Sequence, residues 1–337
     1  MAAAASTAPQ ENGTPEATVD DSSTDSRSAL VASSSFPPTR PQEYVPRFWQ
    51  QGTRPDGRLM SQTRPTQVTT PKSNKALVTL GETRILSTVT VQVGSMTTSP
   101  TGDIVVQLEF PCDLAQPSQS PAAAAAPVQA YIQRILMETI PLDQLSLQHH
   151  CPNHTESSIK LGHWAFRLII NLQVLVQDGN LWDSALLAGV AALQNTRLPQ
   201  LQWNDITKQF AQVSSRQYVP KPLMVPTVPV SLTLGLYKRT KSGKPTTGKP
   251  SSTSQSWITD PTLLEESCLT SCLTVVVNAA STNNNKSNEG ELLSVEYSGR
   301  ESVQPTSDFL LAIRMAQARA QEVQRDLLQQ SATNTTR

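Results

Sequence analysis

The apolar positions of this chain recur with two periods, and each period predicts an element type. From Lys75 to Val93 the pattern reads strand, turn, strand. Val89, Val91 and Val93 alternate with Thr88, Thr90 and Gln92, the period of two expected of a half-buried strand, and Gly81 supplies the turn. Residues 104–110 predict another strand. The clearest strand runs from Ala165 to Val176: Leu168, Ile170, Leu172, Val174 and Val176 line one face, while Ile169 and Leu175 put apolar groups on the other. After a tight turn at Asp178-Gly179-Asn180 comes a helix of small apolar residues, among them Ala185, Ala188, Gly189, Ala191 and Ala192, which suits close packing on a sheet. Pro127, favoured in a first turn, predicts a helix reaching about Ile140. Later strands are expected over 229–237, 271–278 and 292–297. A long amphipathic helix is expected over 306–328, with Phe309, Ile313, Ala316, Ala320, Val323 and Leu327 recurring at three and four and Arg314, Arg319 and Arg325 on other faces. Strand, turn and buried helix recur, so the pattern predicts an α+β fold of two βαβα-type units.

Polar segments interrupt this pattern. Residues 1–40 are rich in Ala, Ser, Thr, Pro and Asp and lack the apolar surface to offset ordering entropy, so a disordered tail is expected. Order is expected to begin near Tyr44, Phe48 and Trp49 on an edge helix, and one domain to fill 41–337. Insertions are expected near 115–127, where the Ala run 122–126 reads as a surface loop, near 241–256, and near 281–290. These segments account for a hydrophobic content of only 37% and for 25 prolines.

Formal net charge is zero, so the chain has no overall basic field for nucleic acid. The dense basic stretch holds Lys238, Arg239, Lys241, Lys244 and Lys249; it reads either as a contact for RNA phosphates or as a solvated loop tip. No apolar run approaches the ~20 residues a membrane span needs, and the N-terminus lacks the basic and apolar regions of a secretory signal, so a soluble intracellular protein is expected. Cys112, Cys151, Cys268 and Cys272 are scattered and are expected to be free thiols. His149, His150, Cys151 and His154 form a denser cluster, readable as a zinc site or, with Pro152 and Asn153 among them, as a polar loop. The second reading is preferred, and no metal or cofactor is expected.

Four ordered motifs carry a resemblance. Arg54-Pro55-Asp56-Gly57-Arg58 is followed by a hairpin at Leu80-Gly81-Glu82-Thr83-Arg84, by the stretch Gln177–Leu193, and by Asp260-Pro261-Thr262-Leu263-Leu264-Glu265-Glu266. In this order they resemble the RNase PH superfamily, and within it the RNase PH-like subunits of the eukaryotic RNA exosome, over roughly residues 41 to 328. Pro41-Gln42-Glu43-Tyr44 resembles one subunit type of that family. The resemblance implies an RNase PH-like fold, of the ribosomal protein S5 domain 2-like kind.

The resemblance also frames the chemistry. Active members bind the attacking phosphate at a helix start through a small hydroxyl residue followed by Arg; here those places hold Leu181 and Trp182, and Asp183 next to them repels an anion. Arg134, in Tyr131-Ile132-Gln133-Arg134, matches a second phosphate ligand of the family, or is simply an exposed helix Arg. The two family carboxylates near metal or leaving group map to Asp260 and Glu266, the latter one methylene longer than the family's Asp. Their structural reading has Asp260 capping a helical turn with Pro261 in its first position, together with Thr262 and Glu265. No Gly-rich phosphate loop and no nucleophile elbow are present.

Three functions are therefore weighed. The favoured one, implied by the resemblance, is a non-catalytic subunit that pairs with another RNase PH-like subunit in a six-membered ring. Such a ring contacts S1/KH cap proteins and threads RNA to separate nucleases for 3′-to-5′ processing in nucleus, nucleolus and cytoplasm. The second is an active phosphate-dependent 3′-to-5′ exoribonuclease, against which Leu181 and Trp182 speak. The third is an unrelated enzyme or binding module on a similar fold.

Overall fold

The structure is a computed structural model that describes residues 40–95, 101–111, 121–147, 164–204, 206–207, 209–212, 220–239, 254–279, 290–300 and 306–334. The expected N-terminal tail, apart from Arg40, lies outside these residues, as do Lys241, the His149–His154 cluster, and most of the expected insertions at 241–256 and 281–290.

Helix α1 (Pro41–Gln50) begins with Pro in its first turn and buries Val45 and Trp49, one turn apart. The first sheet follows, in the order β1 (Thr66–Thr69), β2 (Lys75–Leu80), β3 (Thr83–Ser95), β5 (Trp164–Val176), β4 (Asp103–Glu109). Its pairs are antiparallel except β4 with β5, which run parallel and are joined through helix α2 (Pro121–Thr139). Helix α3 (Leu181–Gln194) leaves β5 through the Asp178-Gly179-Asn180 turn. Two short ribbons come next, β6 (Arg197–Leu198) with β9 (Lys221–Pro222) and β7 (Leu201–Asn204) with β8 (Gln209–Gln212). The second sheet is antiparallel, ordered β11 (Ser254–Thr259), β10 (Pro229–Arg239), β12 (Ser271–Asn278), β13 (Leu292–Gly299). The short helix α4 (Leu263–Glu266) sits between β11 and β12, and α5 (Thr306–Asn334) ends the described chain.

Helix α3 is apolar around its whole circumference and is buried on all sides, as such a helix must be. It packs on β2 and β3 of the first sheet and on β10 of the second. Helix α5 covers β10, β12 and β1, presenting Ala312, Ala316, Ala320 and Val323. One continuous core therefore joins both sheets with α2, α3 and α5. A separate small cluster sets Val45 and Trp49 of α1 against Tyr237 and Ile258, with the Trp49 and Tyr237 rings 4.7 Å apart.

Three expectations need correction. The Ala run is not a surface loop: α2 starts at Pro121, and Ala125 is buried in the core. Alanine is the strongest helix former, and this packing outweighs Pro127, which falls inside the helix instead of opening it. Val176 does not share the buried face of β5 but is 39% exposed. The pairing slips between Arg84 and Ile85, which face Val176 and Val174, and the extra residue turns the strand end outward. Third, the expected insertion over 241–256 ends early, since β11 begins at Ser254. No helix among the described residues is long and apolar enough to cross a membrane.

Candidate functional site

The residues singled out at the start of α3 and in the Asp260 motif converge on one seam, where the turn before α3 meets the turn before α4. Gly179 has φ +77°, and a Cβ there would lie 2.5 Å from the Thr262 carbonyl carbon and 2.9 Å from Pro261 O. Only glycine supplies both the conformation and the space. Asn180 follows in the left-handed region at φ 52°, and its backbone N–H donates to Glu266 Oε1 at 2.6 Å. The chain's own carboxylate thus takes the amide of the α3 N-cap.

Asp260 is 1% exposed and also left-handed, at φ 49°. Its carboxylate accepts from Arg64 N (2.7 Å), Nε (2.9 Å) and Nη2 (2.7 Å), from Arg58 Nη1 (3.1 Å) and from Asn180 Nδ2 (2.7 Å). Burial alone would raise its pKa, but the hydrogen bonds and charge of Arg64 overcome this and hold it below the ordinary value. The Arg64 guanidinium also reaches Asp178 O at 2.6 Å and Asp178 Oδ2 at 3.3 Å. Its pKa is raised, because Asp260 outweighs the effect of burial.

A second guanidinium lies beside the first. Arg54 is 1% exposed; it donates through Nε to Glu265 Oε1 at 2.8 Å, through Nη1 to Thr259 O at 2.7 Å and through Nη2 to Asp260 O at 2.9 Å. Its Nη2 also pairs with Glu265 Oε2. The two charged ends of the sequence pattern, Arg54–Arg58 and Asp260–Glu266, are therefore each other's partners.

The capping expectation is half right. A helical turn is capped here, but Thr262 is the N-cap. Its hydroxyl accepts from Glu265 N at 3.4 Å, and Glu265 Oε2 accepts from Thr262 N at 2.9 Å, a reciprocal capping box. Asp260 stands two residues too early to cap, and Pro261 precedes the cap instead of opening the helix.

The remaining candidates separate into two groups. Asp183 joins the seam: it accepts from Asn180 Nδ2 at 2.8 Å and from the N and Oγ1 of Thr233 at 2.8 and 2.9 Å, tying α3 to β10. Burial raises its pKa against those hydrogen bonds. Burial likewise pushes Glu266 up to about 7, with the Asn180 N–H and Arg64 pulling the other way. Leu181 is buried, and Trp182 packs edge-on against Tyr131 at 4.6 Å. Arg134, by contrast, stays outside the seam: half-exposed on α2, it pairs with Glu296 Oε2 at 3.0 Å, 5.8 Å from the Tyr131 ring centre. Lys238 and Arg239 end β10. Cys268 and Cys272 are free thiols, both with pKa raised by burial, Cys272 to about 11. Among the described residues no group of three or more His, Cys, Asp or Glu side chains could hold a metal ion.

Sequence reasoning missed Arg64 and Thr233. Arg64 is the hub of the seam, yet it lies outside every motif and 196 residues from Asp260. The only available signal was a third arginine close behind Arg54 and Arg58.

Chemically, the seam is a closed circuit. Each Asp260 oxygen already accepts from a guanidinium, Glu265 is claimed by Arg54, and Asp183 is claimed by three neutral donors.

Residues 63–199 match the 3′ exoribonuclease family, domain 1 (RNase PH). The chain is 26% identical over 249 residues to exosome complex component RRP45A of Arabidopsis thaliana, covering 72% of this chain and 70% of that protein. It is 30% identical over 166 residues to exosome complex component Rrp42 of Methanocella arvoryzae, covering 47% and 60%. In structure it resembles a chain of the Archaeoglobus fulgidus exosome with RNA bound to the active site, with TM-score 0.60, 22% identity, and 85% and 96% of the two chains covered. A chain of an archaeal exosome core gives TM-score 0.56 at 21% identity, covering 84% and 95%. Residues 63–199 thus form an RNase PH domain, and the chain has the α+β fold of an RNase PH-like exosome core subunit.

Proposed function

We propose that this chain is a non-catalytic subunit of an exosome ring, supporting 3′-to-5′ RNA processing and degradation by passing RNA to nuclease subunits elsewhere in the complex. One observation carries the reading. The two carboxylates that would serve a phosphorolytic site are engaged inside the chain, Asp260 by Arg64 and Arg58 and Glu266 by the Asn180 amide. At the same place Leu181 and Trp182 offer no phosphate ligand, and Arg134 is paired with Glu296. A lone Arg without a bidentate partner holds a dianion poorly.

The partners are other RNase PH-like subunits, one of them in a heterodimer within a six-membered ring, together with S1/KH cap proteins and RNA. The motif Pro41–Tyr44 supports assignment to the ribosomal RNA-processing protein 43 type, and a protein 46-type subunit is the expected dimer partner. The place of work is nucleus, nucleolus and cytoplasm. Lys238, Arg239 and Lys241 are the residues proposed to meet RNA phosphates, by charge alone.

Co-expression with the candidate partner, followed by light scattering, tests the reading. The expected result is a stoichiometric heterodimer whose melting temperature rises with concentration, since a partner that binds only the folded state stabilises it by mass action. A well-behaved monomer that ignores every RNase PH-like partner contradicts it.

A further inference from the structure

Where α3, β10 and α5 meet there is a cavity of about 20 Å³, measured to the centres of water-sized spheres, with Thr66, Asn180, Asp183, Ser231, Asp260 and Arg319 in its lining. A site that admits the centre of a water-sized sphere has room for at least one water. The cavity is therefore large enough for a water, and its wall is polar.

Two atoms in the wall are unsatisfied. Asn180 is 1% exposed, and its Oδ1 has no hydrogen-bond partner among the described residues. The amide cannot turn to improve matters. Its Nδ2 donates to both Asp183 and Asp260, so a flip would set an oxygen against two carboxylates. Ser231, on β10, is 6% exposed; its Oγ has no partner at ordinary hydrogen-bond geometry, yet lies close enough to help the Asp183 carboxylate hold its charge. Buried polar atoms left without partners are rare in folded chains and cost free energy, whereas cavities that stay dry are apolar.

We propose that this cavity binds one neutral hydrogen-bond donor of water size, a single ordered water that donates to Asn180 Oδ1 and bridges to Ser231 Oγ. The lining argues against a cation. Asp260 is already claimed by Arg64, and the Arg319 guanidinium adds positive charge to the wall. The water links the α3 start to the second sheet. The water is expected whether or not the chain is catalytic, and whichever complex it joins.

Two measurements decide it. The first is high-resolution crystallography of the full chain with its partner, from crystals grown in rubidium chloride. The expected result is a density peak within about 2.7–3.1 Å of Asn180 Oδ1 and Ser231 Oγ, without anomalous signal at the rubidium edge. An anomalous peak assigns the cavity to a monovalent cation and overturns the water; featureless density overturns the site itself. The second measurement compares Ser231→Val with Ser231→Thr by thermal unfolding. The two side chains share a shape and both suit a strand, so their difference reads the hydroxyl alone. Valine is expected to melt about 3–6 °C below threonine. A valine variant that equals or exceeds threonine means a dry cavity and overturns the proposal.

Discussion

The Arg64–Asp260 and Arg134–Glu296 pairs have similar contact distances, 2.7 and 3.0 Å, but different surroundings. The side chains of the first are 6% and 2% exposed, and those of the second 46% and 48%. Every oxygen and most of the nitrogens of the first pair have a further partner, so two turns far apart in sequence are fixed against each other. The second pair links α2 to β13 in the open, with solvent as competitor. An arginine beside a carboxylate thus says little until burial and the full set of partners are known. The same distinction separates a residue that shapes this fold from one that only decorates it.

The comparison can be broken at its strong end first. Asp260→Ala takes from Arg64 and Arg58 a buried counter-charge, leaving them chiefly the more exposed Asp178 and Asp56, and is expected to cost about 3–5 kcal/mol, the range for breaking a buried ion pair. Urea unfolding of the chain with its partner measures it. A loss below about 1 kcal/mol would place Asp260 with the surface pairs.

The effect of pH comes next. Glu266 has a folded pKa of about 7 against an ordinary 4.5. Below 4.5 both the folded and the unfolded chain hold this proton, and the stability it confers is fully present. Between 4.5 and 7 only the folded chain still holds it, so that stability is lost as pH rises, by a few kcal/mol at most. Asp260 has the opposite sign: its pKa is lowered, so its contribution is present at neutral pH and disappears only below the usual carboxylate range. Stability measured from pH 5 to 8 is therefore expected to fall with pH, and Glu266→Gln to flatten that slope. An unchanged slope in the Gln variant would remove Glu266 from the account. The smallest effect is expected for Arg134→Ala, roughly 0–1 kcal/mol, as for other exposed pairs. A larger loss, seen in the same unfolding experiment, would show that α2 and β13 depend on this contact.

The sequence exposed the parts of the fold that rest on local periodicity. The strand Trp164–Val176 and the small apolar helix after it were readable because the strand alternates buried and more open positions and the helix is buried along nearly its whole length. The strands β1, β6 to β9 and β11 were not, being short or built around residues such as Gln, Lys and Ser that carry no alternation. The Ala run before Pro127 misled because flanking prolines mark loops as often as helix starts. The site was legible as residues but not as pairs. Arg54, Asp183, Asp260, Glu265 and Glu266 all stood out, yet nothing local says that Arg54 will bond Glu265 across 211 positions, or that Arg64 will claim Asp260. Such pairing is set by how the two turns stack, and that depends on Gly179 and on the left-handed backbone of Asn180 and Asp260.

The central claim is that Asp260 holds the seam closed and serves no reaction. A phosphorolysis assay tests it most directly: the purified chain, alone and with its ring partner, is mixed with single-stranded RNA, inorganic phosphate and magnesium, and nucleoside diphosphates are measured. None is expected from the chain alone, and Asp260→Asn, in complexes that still assemble, is expected to leave their activity unchanged. Nucleoside diphosphate release by the isolated chain that Asp260→Asn abolishes, while the variant remains folded, would contradict it.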